Sequence, residues 1–219
     1  MTDTELIEET IAFVRETLKG AEGGHDWFHI QRVFKNTLRI AKDEEVDLLV
    51  VSLGALLHDI ADSKFHGGDE ELGPAMTANF LNSLQVAPEV VAHVVNIVKY
   101  ISYKSSLDTT GEIFFSQELA VVRDADRLDA MGAVGIARAF NYGGYKNREL
   151  HNPDIPPNPK MTKTQYKNSQ GPTINHFYEK LLLLKDRMHT ESGKKLAEAR
   201  HVFMLDYLKQ FYGEWNGDL

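Results

Sequence analysis

Apolar residues recur along this chain at intervals of three and four, the spacing that lines one face of an α-helix. Leu6, Ile7, Ile11, Val14 and Leu18 mark a first helix, framed by Thr2 and Glu5 as a capping box and closed by Gly20. A second follows Gly23-Gly24, with Asp26 as its N-cap, and carries Phe28, Val33, Phe34, Leu38, Ile40 and Ala41. A third runs from about Asp47 to Ala61 and is made for the core. The pattern predicts further helices over Glu70–Leu84 and Pro88–Tyr103, the latter with proline in its first turn. Others cover Gln117–Tyr142, Ile174–Arg187 and Ser192–Phe211. Only Glu112–Phe115 hints at the alternation of a strand. The expectation is an all-α chain, one compact helical bundle over residues 1–219, with no internal repeat.

One segment breaks the pattern. Residues 143–173 hold five of the seven prolines, three glycines and few apolar side chains. Connections of this length are usually lids or linkers. This one carries Lys146, Arg148, Lys160, Lys163 and Lys167 against Glu149 and Asp154, so it is basic within an acidic protein.

The formal charge of the 219 residues is −8, and the pI is near 5.6. That balance argues against a nucleic-acid or anionic-membrane surface, both of which call for a basic face. A small phosphorylated ligand needs only a local cluster of cations and stays possible. The absence of cysteine excludes disulfides, iron–sulfur clusters, zinc ribbons and thiol nucleophiles. Any metal must be held by His, Asp, Glu or backbone oxygen. The acidic start MTDTELIEET is unlike a signal peptide, and the longest apolar run, Leu48–Leu57, is too short to span a bilayer. A cytoplasmic enzyme or binding protein is expected.

The chemistry concentrates where carboxylates stand beside histidines in apolar surroundings. His58 and Asp59 end the apolar run of the third helix. An unpaired carboxylate buried there costs several kcal/mol, so a salt bridge, a hydrogen-bond network or a metal ion must compensate it. Adjacent helical residues point about 100° apart, so the two side chains can straddle a point beside the helix. His29, and one acid from Asp124, Asp126 and Asp129, would complete a ring of two imidazoles and two carboxylates. Such a mixed nitrogen and oxygen set suits Mn²⁺, Fe²⁺, Co²⁺, Ni²⁺ or Zn²⁺ rather than Ca²⁺.

His29, then His58-Asp59, then a distant Asp resembles the signature of the HD-domain metal-dependent phosphohydrolases. GHDWFHIQRV, LLHDIADSKFH, VRDADRLDAMGAVGIAR and NHFYEKLLLLKDRM resemble the bacterial HD-domain nucleotide pyrophosphohydrolases. The resemblance implies metal ligands His29, His58, Asp59 and Asp126. Asp126 is preferred to Asp124 because Ala125-Asp126-Arg127-Leu128 keeps the family's register. It implies one divalent ion, manganese first, with zinc, iron, cobalt, nickel or magnesium as alternatives. The implied reaction is hydrolysis of a nucleoside triphosphate to monophosphate and pyrophosphate by a metal-activated water. A deoxynucleoside 5′-monophosphate phosphatase is the alternative among enzymes, and a non-catalytic nucleotide-binding module the alternative outside them. The partner is a small phosphorylated substrate, with no nucleic acid and no membrane, and the chain is a monomer or homodimer.

Neighbouring groups have roles under that reading. Asp62, one turn after Asp59, takes or positions a proton, and Lys64 and His66 stand at the mouth of the site for phosphate binding and leaving-group protonation. Arg32 and Arg127 offer charge to phosphate. His176 and Lys180, four apart on one helix face, touch substrate by the same resemblance. Asp129 is a candidate to orient a ligand, and His25 a residue packing near Trp27. Gly132 and Gly135 fall inside a predicted helix with no strand before them, so they are no dinucleotide fingerprint.

Overall fold

Helix α1 (Asp3–Thr17) starts where its capping box predicts. Thr2 Oγ1 accepts from the Glu5 amide, and Glu5 accepts from the Thr2 amide at 2.7 Å. The computed structural model describes residues 1–21, 24, 26–61, 69–101, 114–162 and 169–219. Every regular element among them is helical. The chain divides into two compact units, Met1–Asp126 and Arg127–Leu219, and the division falls within one helix, Gln117–Asp129.

The first unit is organised around α3 (Leu48–Leu57). Val50 to Leu57 are all buried, as the apolar run requires. Helices α1, α2 (Trp27–Ala41) and α5 (Pro88–Tyr100) pack against it, and α4 (Leu72–Ser83) lies along α5. Helix α3 is shorter than the pattern suggests. It stops at Leu57, and His58–Ala61 form turns. The His58 ring takes the Ala55 carbonyl at 2.9 Å, so the side chain caps the last turn instead of extending it.

Helix α6 (Gln117–Asp129) and α7 (Gly132–Tyr145) divide what periodicity reads as one helix. Met131 is extended, and Gly132 has φ of +69°, a conformation that L side chains rarely adopt. Apolar spacing alone does not show this break, because both helices bury a face. Gly135 is needed for a second reason: a Cβ there would overlap the carbonyl of Ala130. Gly135→Ala is therefore expected to destabilise the fold by on the order of 3 kcal/mol, read as a lowered urea midpoint. An unchanged midpoint would show that the α6–α7 turn yields freely.

In the second unit α7 packs on the 26-residue α9 (Glu191–Asn216). The rings of Phe140, Phe177, Tyr207 and Phe211 form its aromatic core, with Phe177 and Tyr207 stacked at 6.0 Å. Helix α9 outruns its predicted end at Phe211 because nothing breaks it before Gly217, which has φ of +76°. The helix expected over 174–187 is instead α8 (Asn175–Glu179) followed by two 3₁₀ turns, Leu181–Leu183 and Lys185–Arg187. Lys180, at φ −145°, leaves the helical region. Buried Leu181 and Leu184 then stand three apart, matching the 3₁₀ period.

The basic segment begins inside α7. Beyond it, the amides of Thr173 and Ile174 donate to the carbonyls of Glu149 and Leu150, and Asn175 Nδ2 donates to the Ile155 carbonyl at 2.8 Å. Lys163, Tyr166 and Lys167 lie outside the described residues.

Candidate metal centre

Three helices of the first unit each supply one side chain. On α2, the Asp26 carboxylate accepts from the His29 amide at 3.0 Å, which fixes His29 as the third helical residue, with its ring buried. On α3, His58 is the C-cap. A carbonyl only accepts, so the Nδ1 facing Ala55 O carries the proton and Nε2 presents a lone pair. That Nε2 is buried and has no hydrogen-bond partner. On α6, the half-exposed Asp126 sets Oδ1 at 3.6 Å from His29 Nε2 and 3.9 Å from His58 Nε2. The imidazoles meet edge to face, with centroids 5.3 Å apart.

These separations are too long for hydrogen bonds and suit a shared cation. Donors held about 2.1 Å from one ion stand roughly 3.0–4.2 Å apart. One donor atom from each of His29, His58 and Asp126 lies within 4.8 Å of the other two. A buried acceptor left unpaired costs about 1–3 kcal/mol, and a divalent ion removes that cost by taking the His58 lone pair. The donor set, two neutral imidazoles and a carboxylate, fits such an ion.

The HD domain family model matches residues 27–131, a span that includes all three side chains. An HD-superfamily hydrolase from Bacillus thuringiensis is 40% identical, with TM-score 0.78 over 98% of this chain and 99% of its own. This chain belongs to the HD superfamily. A Lactobacillus plantarum protein of known structure is 34% identical with TM-score 0.81, covering 99% of both chains. YpgQ of Bacillus subtilis is 34% identical over 210 residues, 96% of this chain and 94% of YpgQ. The crystal structure of YpgQ in complex with ADP has TM-score 0.76 over 98% of this chain and 97% of that one.

Not every expected residue of this HD-superfamily chain joins the cluster. Asp59, half-buried in the turn that follows α3, is not one of the three residues of that group. Asp124 is fully buried on α6 and is also outside. Asp129 is buried in an ion pair with Arg138 of α7 at 2.7 Å. Asp62, Lys64, His66 and His25 lie outside the described residues. Arg32 is half-buried on α2, one turn after His29.

In the second unit, Arg127 donates to the Arg187 carbonyl, and Lys180 is exposed just past the end of α8. The His176 imidazole is held down to about 3 by burial, then by the charges of Lys180 and Arg148. It is neutral at pH 7, so it offers a hydrogen bond rather than a charge. In the sequence Arg148 is one of several loop cations. It sits over Tyr142 at 5.6 Å and donates to the Ser169 carbonyl at 2.7 Å. No spacing signal links 148 to 176. His93 lies 2.9 Å from Ser116 Oγ and 3.4 Å from Glu118. His151 packs edge-on against Phe211, Tyr212 and Trp215. No helix among the described residues is long and apolar enough to cross a membrane.

The depressed His176 has a thermodynamic consequence. Its folded pKa lies below the unfolded value, so the unfolded chain takes the proton first as pH falls. Its contribution is complete above about pH 6.5 and is lost as pH drops toward 3. Between pH 7.5 and 5.5 the wild type should therefore lose about 1 kcal/mol more than His176→Asn in urea denaturation. Equal losses would refute a neutral His176.

Proposed function

We propose that this HD-superfamily chain is a metal-dependent phosphohydrolase that cleaves nucleoside triphosphates to monophosphate and pyrophosphate. The observation that carries the reading is the buried, partnerless Nε2 of His58 turned toward Asp126 and His29. His29, His58 and Asp126 would hold a divalent ion, manganese first, with Asp59 as the fourth ligand of the proposal. When bound, such an ion polarises a phosphoryl oxygen and makes water more acidic.

The chain's own residues prepare that site. The Asp26 cap seats His29, and the Ala55 carbonyl holds His58 in the tautomer that presents Nε2 and makes it more basic. Asp126, with its side chain 40% exposed, leaves the cluster open to solvent on its own side. We assign proton transfer to Asp62 and leaving-group protonation to His66. Arg32, Lys64, Arg127 and Lys180 are assigned to the negative charge of the phosphate chain. His176, being neutral, is assigned a hydrogen bond. A nucleotide substrate is favoured by the ADP complex of YpgQ, a relative of 34% identity.

The test is a panel of nucleoside and deoxynucleoside mono- and triphosphates, incubated with metal-stripped protein and each divalent ion in turn. Pyrophosphate released from triphosphates, with no turnover before metal is added, supports the reading. Orthophosphate from monophosphates would replace it with a phosphomonoesterase. Nucleotide binding without turnover under any of the metals would replace it with a non-catalytic module.

A further inference from the structure

Helix α6 presents Asp126, and two side chains that bracket this residue in sequence or contact tie the helix to its neighbours. Arg123, one turn earlier on α6, is nine-tenths buried, and its Nη2 donates at 2.5 Å to the carbonyl of Tyr100, the last residue of α5. Its Nε is buried without a hydrogen-bond partner. On the other side, Asn36 Nδ2 of α2 reaches the Ala125 carbonyl at 3.5 Å. Asn36 lies seven residues after His29, two turns along the same face of α2. Helix α5 in turn packs on α3, whose end carries His58. The two contacts therefore link α6 directly to the helix of His29 and, through α5, to the helix of His58.

Helix packing alone does not account for Arg123. Burial depresses its pKa, so its surroundings work against the charged form, although the neighbouring Asp124 opposes that trend. The carbonyl end of α5 offsets part of the cost, since helix C-termini favour positive charge. A buried cation with one acceptor is nonetheless a poor way to join two helices. An apolar side chain of similar volume is often neutral or stabilising in such places. What the guanidinium adds is direction. Slipping α6 by one residue turns it by about 100° and would bring Ala125 or Arg127 to the imidazoles in place of Asp126.

We propose that Arg123, assisted by Asn36, is a positioning residue that sets the register of α6 so that Asp126 meets His29 and His58. The inference rests on the metal-site reading and concerns the ion's affinity, not the identity of the substrate. The experiment is calorimetric titration with Mn²⁺, paired with thermal melting of the metal-free protein, on wild type, Arg123→Met, Arg123→Lys and Asn36→Leu. Arg123→Met should bind Mn²⁺ at least about tenfold more weakly, while its metal-free melting temperature is unchanged or raised. Arg123→Lys should recover part of the affinity, and Asn36→Leu should lose a smaller factor. Wild-type affinity in Arg123→Met overturns the inference whatever its melting temperature. An Arg123→Met that does not fold, beside an Arg123→Lys of wild-type affinity, overturns it as well. A wild type that shows no saturable Mn²⁺ binding defeats the metal reading itself and this inference with it.

Discussion

Asp126→Asn should lower kcat/KM by about a thousandfold or more, or about 4 kcal/mol of transition-state stabilisation, and weaken divalent-ion binding in parallel. The reason is local. Among the described residues, Asp126 supplies a carboxylate oxygen that faces both imidazoles, and an amide oxygen has no net charge to offer a cation. The metal-free fold should scarcely notice the change, because Asp126 is half-exposed and stands beyond hydrogen-bond range of both rings. Asp124→Asn is the matched control. That carboxylate is fully buried, so its loss should cost about 2–4 kcal/mol of stability and leave the ion's affinity within about threefold. Urea denaturation and metal titration of both variants decide the matter. If Asp124→Asn loses the metal and Asp126→Asn keeps it, the ligand has been misassigned.

The second large effect is thermodynamic. Mn²⁺ at a hundred times its Kd should stabilise the wild type by about 2.7 kcal/mol, because it binds a site that exists only when α2, α3 and α6 are folded. His58→Ala should remove that increment entirely. The metal-free variant should still fold, since the core around α3 is supplied by Val50 to Leu57 rather than by the imidazole. Scanning calorimetry with and without the ion reads both quantities. A His58→Ala variant that keeps the full increment would show that the buried Nε2 is not a ligand.

The structure also bears on why Asp59 and His58 separate. In the sequence they form one pair at the end of one apolar run. In the fold, the Ala55 carbonyl captures His58 and the helix stops, leaving Asp59 in a turn outside the three-residue cluster. As the proposed fourth ligand it should add to the ion's affinity. Comparing ion affinity in Asp59→Ala with that in Asp126→Asn measures how far this happens.

Much of the fold was legible because its signals are local. Thr2 with Glu5, and Asp26 with the amide of His29, are contacts between residues three apart, and any chain with those side chains before an apolar face can form them. The run Leu48–Leu57 announces a fully buried helix by itself. The lack of cysteine and the placing of His58 at the end of that run were enough to direct attention to a metal held by nitrogen and oxygen. The features that were not legible depend on residues far away in the chain. The α6–α7 break lies in a continuous helical pattern and shows only in the turn at Met131 and Gly132. The 3₁₀ turns after Lys180 fit the same spacing of leucines that a helix would. The depressed pKa of His176 comes first from burial in the folded unit, and Arg148, whose charge adds to it, lies 28 positions earlier.

Sequence alone determined most of the helices, the caps at Thr2 and Asp26, and the types of side chain available for chemistry, because each of these is decided by neighbours within a turn or two. Tertiary structure decided which of three acids faces the imidazoles and that the Nε2 of His58 is buried beside His29 and Asp126. Those outcomes follow from how α2, α3 and α6 pack, and packing is set by the summed burial of many residues across the first unit rather than by any local signal.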